Sequence, residues 1–485
     1  MKPARALICS LLAAMATPAA AQHASPTPDH WIRAIGSARL RGEGWNWFPA
    51  AAPSDGSYPL GSGYLRFGVA AGWRAFEVQA EGEAPFLIGV PTDAVAPAPG
   101  GQLGFGGTAR ATNGNSSTDL FLKQGYARVK SGGARPWWFR AGRFEFGEGK
   151  EALPADPTLL AIRQERVAER LIGSFGFSPV GRSFDGGDLS GPLGGGTLTF
   201  MATRPTAGVF QLNGMPELPV DLLYGSWVRP PHLVHGAAHD EARLFGSYYA
   251  DRRDVGKTDN RPAAIRTADR ERIRITTLGG HYLASGPAAG GRADLLLWGA
   301  WQSGDWGRLR HRAWAAAAEV GYRPGTSVRN PWIRLGVFQS SGDKDAADGT
   351  HGTFFQLLPT PRPYARFPFY NLMNLTEAFA SLRLSPHPAL SLRSDVHVLR
   401  LTRRTDLWYS GGGAFDEKVF GYAGRGSGGA LALARLLDVS ADLRLSPHTT
   451  ITAYAARAFG GEVVGASYPS GRSASYVYLE LSHRR

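Results

Sequence analysis

Gly63-Tyr64-Leu65-Arg66-Phe67-Gly68-Val69-Ala70-Ala71-Gly72-Trp73-Arg74 is the stretch on which the reading of this chain turns. Leu65, Phe67, Val69, Ala71 and Trp73 alternate with Tyr64, Arg66, Gly68, Ala70 and Gly72. In an extended strand successive side chains point to opposite faces, so one face here is oily and the other small, aromatic or charged. The next segment repeats the pattern, with Phe76, Val78 and Ala80 against Glu77, Gln79 and Glu81. Far downstream Leu390, Leu392, Val396 and Val398 alternate with Ser391, Arg393, Asp395 and His397. Charges at every second place suit a wall between hydrocarbon and water. A soluble sandwich also alternates; the length without a domain break, the wide polar face and the aromatics at strand ends favour the wall.

Composition agrees. The 485 residues include 63 Gly, 24 Phe, 16 Tyr and 13 Trp but only 5 Met, which fits many strands joined by tight turns. Lys2 and Arg5, the apolar run from Ala6 to Ala16 and Ala19-Ala20-Ala21 before Gln22 predict a signal peptide over 1–21, leaving 22–485 as a single barrel domain. Cys9 is the only cysteine and lies in the segment to be removed, which excludes disulfides, thiolate metal sites and cysteine catalysis from the mature protein. Losing Lys2 and Arg5 takes the formal charge from +13 to +11, a bias toward anionic partners. No later segment offers the roughly 18 uninterrupted apolar residues of a membrane helix.

Eighteen strand segments can be placed between residues 30 and 482. With both termini on one side, the connections at the opposite side are mostly long, notably 43–61, 145–181, 252–270, 342–371 and 401–429, with 304–308 the short exception. The insertion 145–181 differs from its surroundings. Asp156 can cap a helix, Pro157 suits the first helical position, and Leu159 to Ile172 holds no Gly or Pro before Gly173, which predicts a short helix. Arg163, Arg166 and Arg170 fall on one face of it, with Glu165 and Glu169 roughly opposite. Residues 140–188 hold seven basic and eight acidic side chains, so only segregation of the charges, not their balance, favours an anion filter. A solvated surface helix, or charge pairing of Arg143, Arg166 or Arg182 with Glu145, Glu148, Asp185 or Asp188, is the competing reading.

Gln339-Ser340-Ser341-Gly342-Asp343-Lys344-Asp345-Ala346-Ala347-Asp348-Gly349-Thr350-His351-Gly352-Thr353-Phe354-Phe355-Gln356-Leu357-Leu358-Pro359-Thr360 resembles a signature of the alginate export family of outer-membrane barrels. Gly142-Arg143, Arg182-Ser183-Phe184-Asp185-Gly186 and Gln302-Ser303-Gly304 look like that family's phrases in the same order, so the resemblance runs from Trp137 to Ala441. It implies an all-β, 18-stranded antiparallel transmembrane barrel in the Gram-negative outer membrane, whose basic lumen passes an anionic uronate polysaccharide outward. The chain departs from outer-membrane barrels in ending on His483-Arg484-Arg485 rather than on an aromatic residue.

The expectation is therefore a barrel with its short helical insertion folded into the lumen. Its substrate pathway is assigned to Arg140, Arg143, Arg163, Arg166, Arg170 and Arg182, with Arg66, Arg334 and Arg393 on the wall. Export of an alginate-like polymer would need a periplasmic secretion apparatus; uptake of small acidic nutrients is the alternative, and a barrel enzyme a further one. The last is disfavoured because no nucleophile elbow or metal-binding His pair is present. No cofactor, metal or nucleic-acid partner is expected, and outer-membrane lipid is the surrounding phase. Asp343, Asp345 and Asp348 have the wrong spacing for an EF-hand and suit a solvated turn.

Overall fold

Alternation at period two does produce a wall, and the wall closes. The computed structural model describes residues 30–49, 56–91, 114–235, 238–325, 329–360, 364 and 366–485. The expected signal peptide and most of the connection after Ile88 lie outside them. The first nine strands are β1 (His30–Asn46), β2 (Ser57–Trp73), β3 (Phe76–Ile88), β4 (Phe121–Lys130), β5 (Trp138–Phe144), β6 (Phe184–Leu193), β7 (Gly196–Pro205), β8 (Val220–His235) and β9 (Ala238–Asp251). There follow β10 (Ile273–Ala288), β11 (Gly291–Trp306), β12 (Leu309–Pro324), β13 (Trp332–Ser340), the two-residue β14 (Thr350–His351), β15 (Leu375–His387) and β16 (Leu390–Leu401). The chain ends with β17 (Leu407–Gly411), β18 (Tyr422–Gly426), β19 (Ala432–Ser446), β20 (Thr449–Gly460) and β21 (Ser473–Arg484).

Eighteen of these form one antiparallel circuit, each pairing with its neighbour; β14 joins β12 in parallel, and β17 and β18 make a separate hairpin. The circuit shuts where β1 meets β21, from Ser37 opposite Arg484 to Asn46 opposite Ser475. The atypical basic C-terminus is thus accommodated in a regular last strand, and Arg41 holds Glu480 across this seam.

The oily residues face outward. Ile32, Phe67, Val69, Trp73 and Leu244 are 52 to 80 % exposed, whereas Arg66, Glu83, Glu241, Arg243 and Glu319 on the other face are buried. No described helix is long and apolar enough to cross a membrane. A continuous apolar exterior around a buried charged interior is stable only when the exterior meets hydrocarbon. Long connections gather at one end and short turns at the other, and outer-membrane barrels turn the long ones outward.

Two glycines mark where the wall releases its main insertion. Gly142 of β5 and Gly186 of β6 sit opposite one another with φ of 125° and 147°. A Cβ on either would collide with a neighbouring carbonyl, Gly125 O or Ala202 O, so the phrase that resembled a family signature has a steric cause.

Candidate functional site

Between β5 and β6 the chain leaves the wall and crosses the lumen. Asp156 caps the predicted helix by accepting from the amides of Thr158 and Leu159, and Pro157 opens it. The helix is shorter than the sequence predicts. It runs Pro157–Ile162, passes into one π turn over Arg163–Val167 and stops at Ala168, after which Glu169 has φ of 59°. Tertiary partners explain the early end. The amide of Leu358 donates to Leu171 O at 2.8 Å, that of Gly173 to Leu358 O at 2.8 Å, and that of Glu148 to Ile172 O at 2.9 Å. These backbone bonds, two to the loop carrying Leu358 and one to the start of the insertion itself, replace those that a continued helix would make.

The three helix arginines do lie together, and all three are buried against the wall. Arg163 pairs with Glu241 of β9 and contacts His281 Nε2 of β10 at 3.2 Å. The Arg166 Nε donates to Glu319 of β12 at 3.0 Å, and Arg334 of β13 reaches the same carboxylate at 3.2 Å. Arg170 lies 4.6 Å above Trp298 and 4.7 Å above Tyr364, with Glu319 at 4.0 Å. From the wall side Arg243 returns to Glu148 and Glu151 of the insertion at 2.6 and 3.0 Å. Charge pairs between an inserted loop and the wall hold the insertion in place, and each charge so buried has a counter-charge or a ring face.

Arg182 acts differently. Its guanidinium donates to the carbonyls of Gly173, Leu358, Pro359, Gly412 and Ala414, at 2.7 to 3.3 Å, and has no ion pair among the described residues. Burial without a counter-ion brings its pKa down to about 10. It ties three loops together at full burial and has no access to a passing solute.

Open space lined by charged side chains lies in the half of the barrel with the short turns. Two chambers of about 480 and 440 Å³ share Lys150, Glu169, Ser174 and Gly176 and so adjoin. Arg66 and Arg140 line the first and Arg393 the second, whereas Arg143, Arg163, Arg166, Arg170, Arg182 and Arg334 line neither. Arg140 is held by Asp188 at 2.6 Å, and Arg143 by Asp185 at 2.6 Å with the Met215 carbonyl at 2.8 Å. Beyond the expected residues, the chambers bring in Arg39, Arg41, Arg128, Lys150, Arg366 and Arg484. Nine cationic and seven anionic side chains line the joined space. Among the described residues Arg366 has no ion pair; its guanidinium sits 5.8 Å from the Tyr454 ring. At the edge of the first chamber burial raises the Glu145 carboxyl, but the charges of Arg66 and Lys123 outweigh this and hold it at about 2.

Toward the other end, described residues pack an aromatic cluster into the lumen. Phe48, Phe367, Phe369, Trp408 and Tyr468, all from segments between wall strands, pack with ring centroids 5.1 to 6.4 Å apart, edge to face except for the tilted pair of Phe48 with Tyr468. Trp47 donates to the Tyr468 hydroxyl at 3.1 Å and Trp408 to the Phe369 carbonyl at 2.8 Å.

The aspartates after β13 are Asx turns: Asp343, Asp345 and Asp348 each accept from the amide two residues on. Among the described residues, the His and acid group whose ligand atoms converge is instead Asp395, His397 and Asp438. Burial, with the neighbouring charge of Asp406 also raising it, puts the Asp343 carboxyl at about 7, and its Oδ2 has no hydrogen-bond partner among the described residues. A carboxyl raised in the folded state favours the protonated form, so its contribution is complete below the ordinary carboxyl range and is lost as pH rises through 7. Protection factors of the amides in 342–358, which remove the intrinsic pH dependence of exchange, should therefore be higher at pH 5 than at pH 8, and Asp343→Asn should flatten that difference. An unchanged pH dependence in the variant would remove Asp343 from the explanation.

Residues 108–477 match the family model described as alginate export. No curated protein matches the chain. Among solved structures, the outer membrane protein OpdK from Pseudomonas aeruginosa is similar at a TM-score of 0.53 and 10% identity, over 93% of this chain and 99% of that one. The same protein with vanillate gives 0.54 at 10% identity over 93% and 98%, and OccAB2 from Acinetobacter baumannii gives 0.55 at 8% identity, also over 93% and 98%. At such identities the likeness is one of fold. The family match over three-quarters of the chain, the closed 18-stranded wall and its oily exterior together make the conclusion plain: this is an outer-membrane β-barrel channel, and the chain belongs to the alginate export family.

Proposed function

We propose that the channel carries carboxylated sugars and exports an alginate-like uronate polysaccharide delivered by a periplasmic secretion apparatus. The observation that carries this reading is the joined chamber, where cations outnumber acids and Arg366 stands without an ion pair beside Tyr454. A sugar carboxylate there regains from guanidinium groups the hydrogen bonds it gives up to water. Membership of the alginate export family supports the same substrate class. Uptake of small acidic nutrients is the second reading. It is favoured by chamber volumes that suit single small ligands, and by a protein of similar fold having been solved with vanillate, a small acid.

Planar-bilayer recordings separate the two. Under the export reading, oligouronates block the current from the short-turn side, more strongly as the oligomer lengthens, and Arg366→Glu weakens block about fivefold, as removal of about 1 kcal/mol of partly screened attraction requires. Block by monomeric uronate or vanillate as strong as by the oligomer would transfer the assignment to small-solute uptake. Absence of block by either would overturn both.

A further inference from the structure

On the outward face of β10, β11 and β12 the surface changes character in steps. The register sets Leu278, Trp301 and Trp314 in one row across the three strands. Toward the long-loop rim the next row is Thr276, Ser303 and Arg312, and the row after it Arg274, Asp305 and Arg310. Arg272 and Arg308 stand beyond. Rows two residues apart are separated by about 6.6 Å, so the cationic surface begins less than about 10 Å above the tryptophans. Ile273, Ile275, His311 and Ala313 between them are buried toward the lumen, which fixes the arginines on the outside.

All five arginines are exposed. Among the described residues the ion pair within the group is Arg274 with Asp305, at 4.0 Å and with both side chains half exposed. The connection 307–308 is two residues long and adds no overhanging loop. Five arginines around a single aspartate leave this exposed sheet face with a net positive, self-repelling charge unless a further anion sits on it.

We propose that this face binds the phosphate groups of lipopolysaccharide in the outer leaflet. The vertical order fits one molecule: acyl chains against Leu278, Trp301 and Trp314, and phosphates within reach of Arg274, Arg310 and Arg312 above them. Guanidinium forks bind phosphate oxygens two at a time, and aromatic residues mark the level where hydrocarbon gives way to headgroups. A soluble polyanion would satisfy the arginines but leave the row beneath unexplained. The inference does not rest on the substrate of the pore.

The test titrates detergent-purified barrel with lipopolysaccharide and counts retained glycolipid by native mass spectrometry. The Arg274→Glu, Arg310→Glu, Arg312→Glu variant should bind about 100-fold more weakly, given the usual contribution of each basic residue at an anionic lipid surface. Lysine at the same three positions should retain most of the affinity. Heat-modifiable gel migration reports folding; if the reversal fails to fold, the Arg310→Gln, Arg312→Gln pair is read instead, with a loss of about 25-fold expected. Undiminished binding by the folded variant, or equal binding of enzymatically dephosphorylated lipopolysaccharide, would overturn the proposal. Equal binding to phosphatidylglycerol vesicles would also overturn it, by reducing the face to a general anionic-surface contact.

Discussion

Reversing Arg163, Arg166 and Arg170 to glutamate is expected to open the pore, with any change in ion preference following from that. The three side chains face Glu241, Glu319 and the ring of Trp298 at burial approaching that of a protein core. Breaking one buried pair costs about 3–5 kcal/mol, and here each new glutamate would confront an acid or a ring face. The wall keeps its own hydrogen bonds, since none of the three residues belongs to it. The insertion should therefore leave its seat while the barrel survives: single-channel conductance rises several-fold, and limited proteolysis begins cutting between residues 150 and 175. Pairing Arg163→Glu with Glu241→Arg should restore part of the closure, which a general loosening would not allow. A folded triple variant with unaltered conductance would show that the stripe does not hold the insertion.

Arg182→Met should release three loops at once. Five buried carbonyls from segments 173, 358–359 and 412–414 lose a shared donor, and unsatisfied buried acceptors cost about 1–3 kcal/mol each before relaxation. With partial compensation a net loss of about 3–5 kcal/mol is expected. Lysine in its place keeps a charge but offers three donors from a point, against five in a planar fork, and should recover under half of the loss. Hydrogen exchange is the measurement. Amides of 171–176, 356–360 and 411–415 should accelerate together while wall amides do not; acceleration in one loop alone would deny Arg182 its linking role.

How much of this could be read from the sequence depends on the range of the interaction. Strands were legible because period two is local: Leu65 to Trp73 face lipid as their alternation predicts, and each of the eighteen expected segments corresponds to a wall strand. The same rule would also have found Arg39 and Arg41, which alternate with Leu40 in β1 and line the second chamber. The cap of the insertion helix was legible from Asp156 and Pro157, but its end was not, because the competing hydrogen bonds come from Leu358, far along the chain. Arg182 looked like a pathway cation for the same reason: its acceptor Gly412 is 230 residues away. Arg366 carries no local signal at all. The hairpin of β17 and β18 and the short helices Ala263–Ala268 and Glu462–Ser467 were missed because each is too short to show a period.

The seam between β1 and β21 bears on the order in which this molecule can be put together. Arg39 on the seam strand donates to the carbonyls of Gly176 and Ser178 in the insertion, and Arg41 beside it reaches the Phe177 carbonyl as well as Glu480. The first strand therefore takes part of its anchorage from a segment that the ribosome makes over a hundred residues later, and its remaining edge from the last strand of all. A cylinder completed while empty would have to admit the charged insertion afterwards, past the mouth where Phe48, Phe367 and Trp408 meet. Closure around an insertion already seated avoids that passage, and makes the final zippering of the wall a checkpoint on whether its contents are in place.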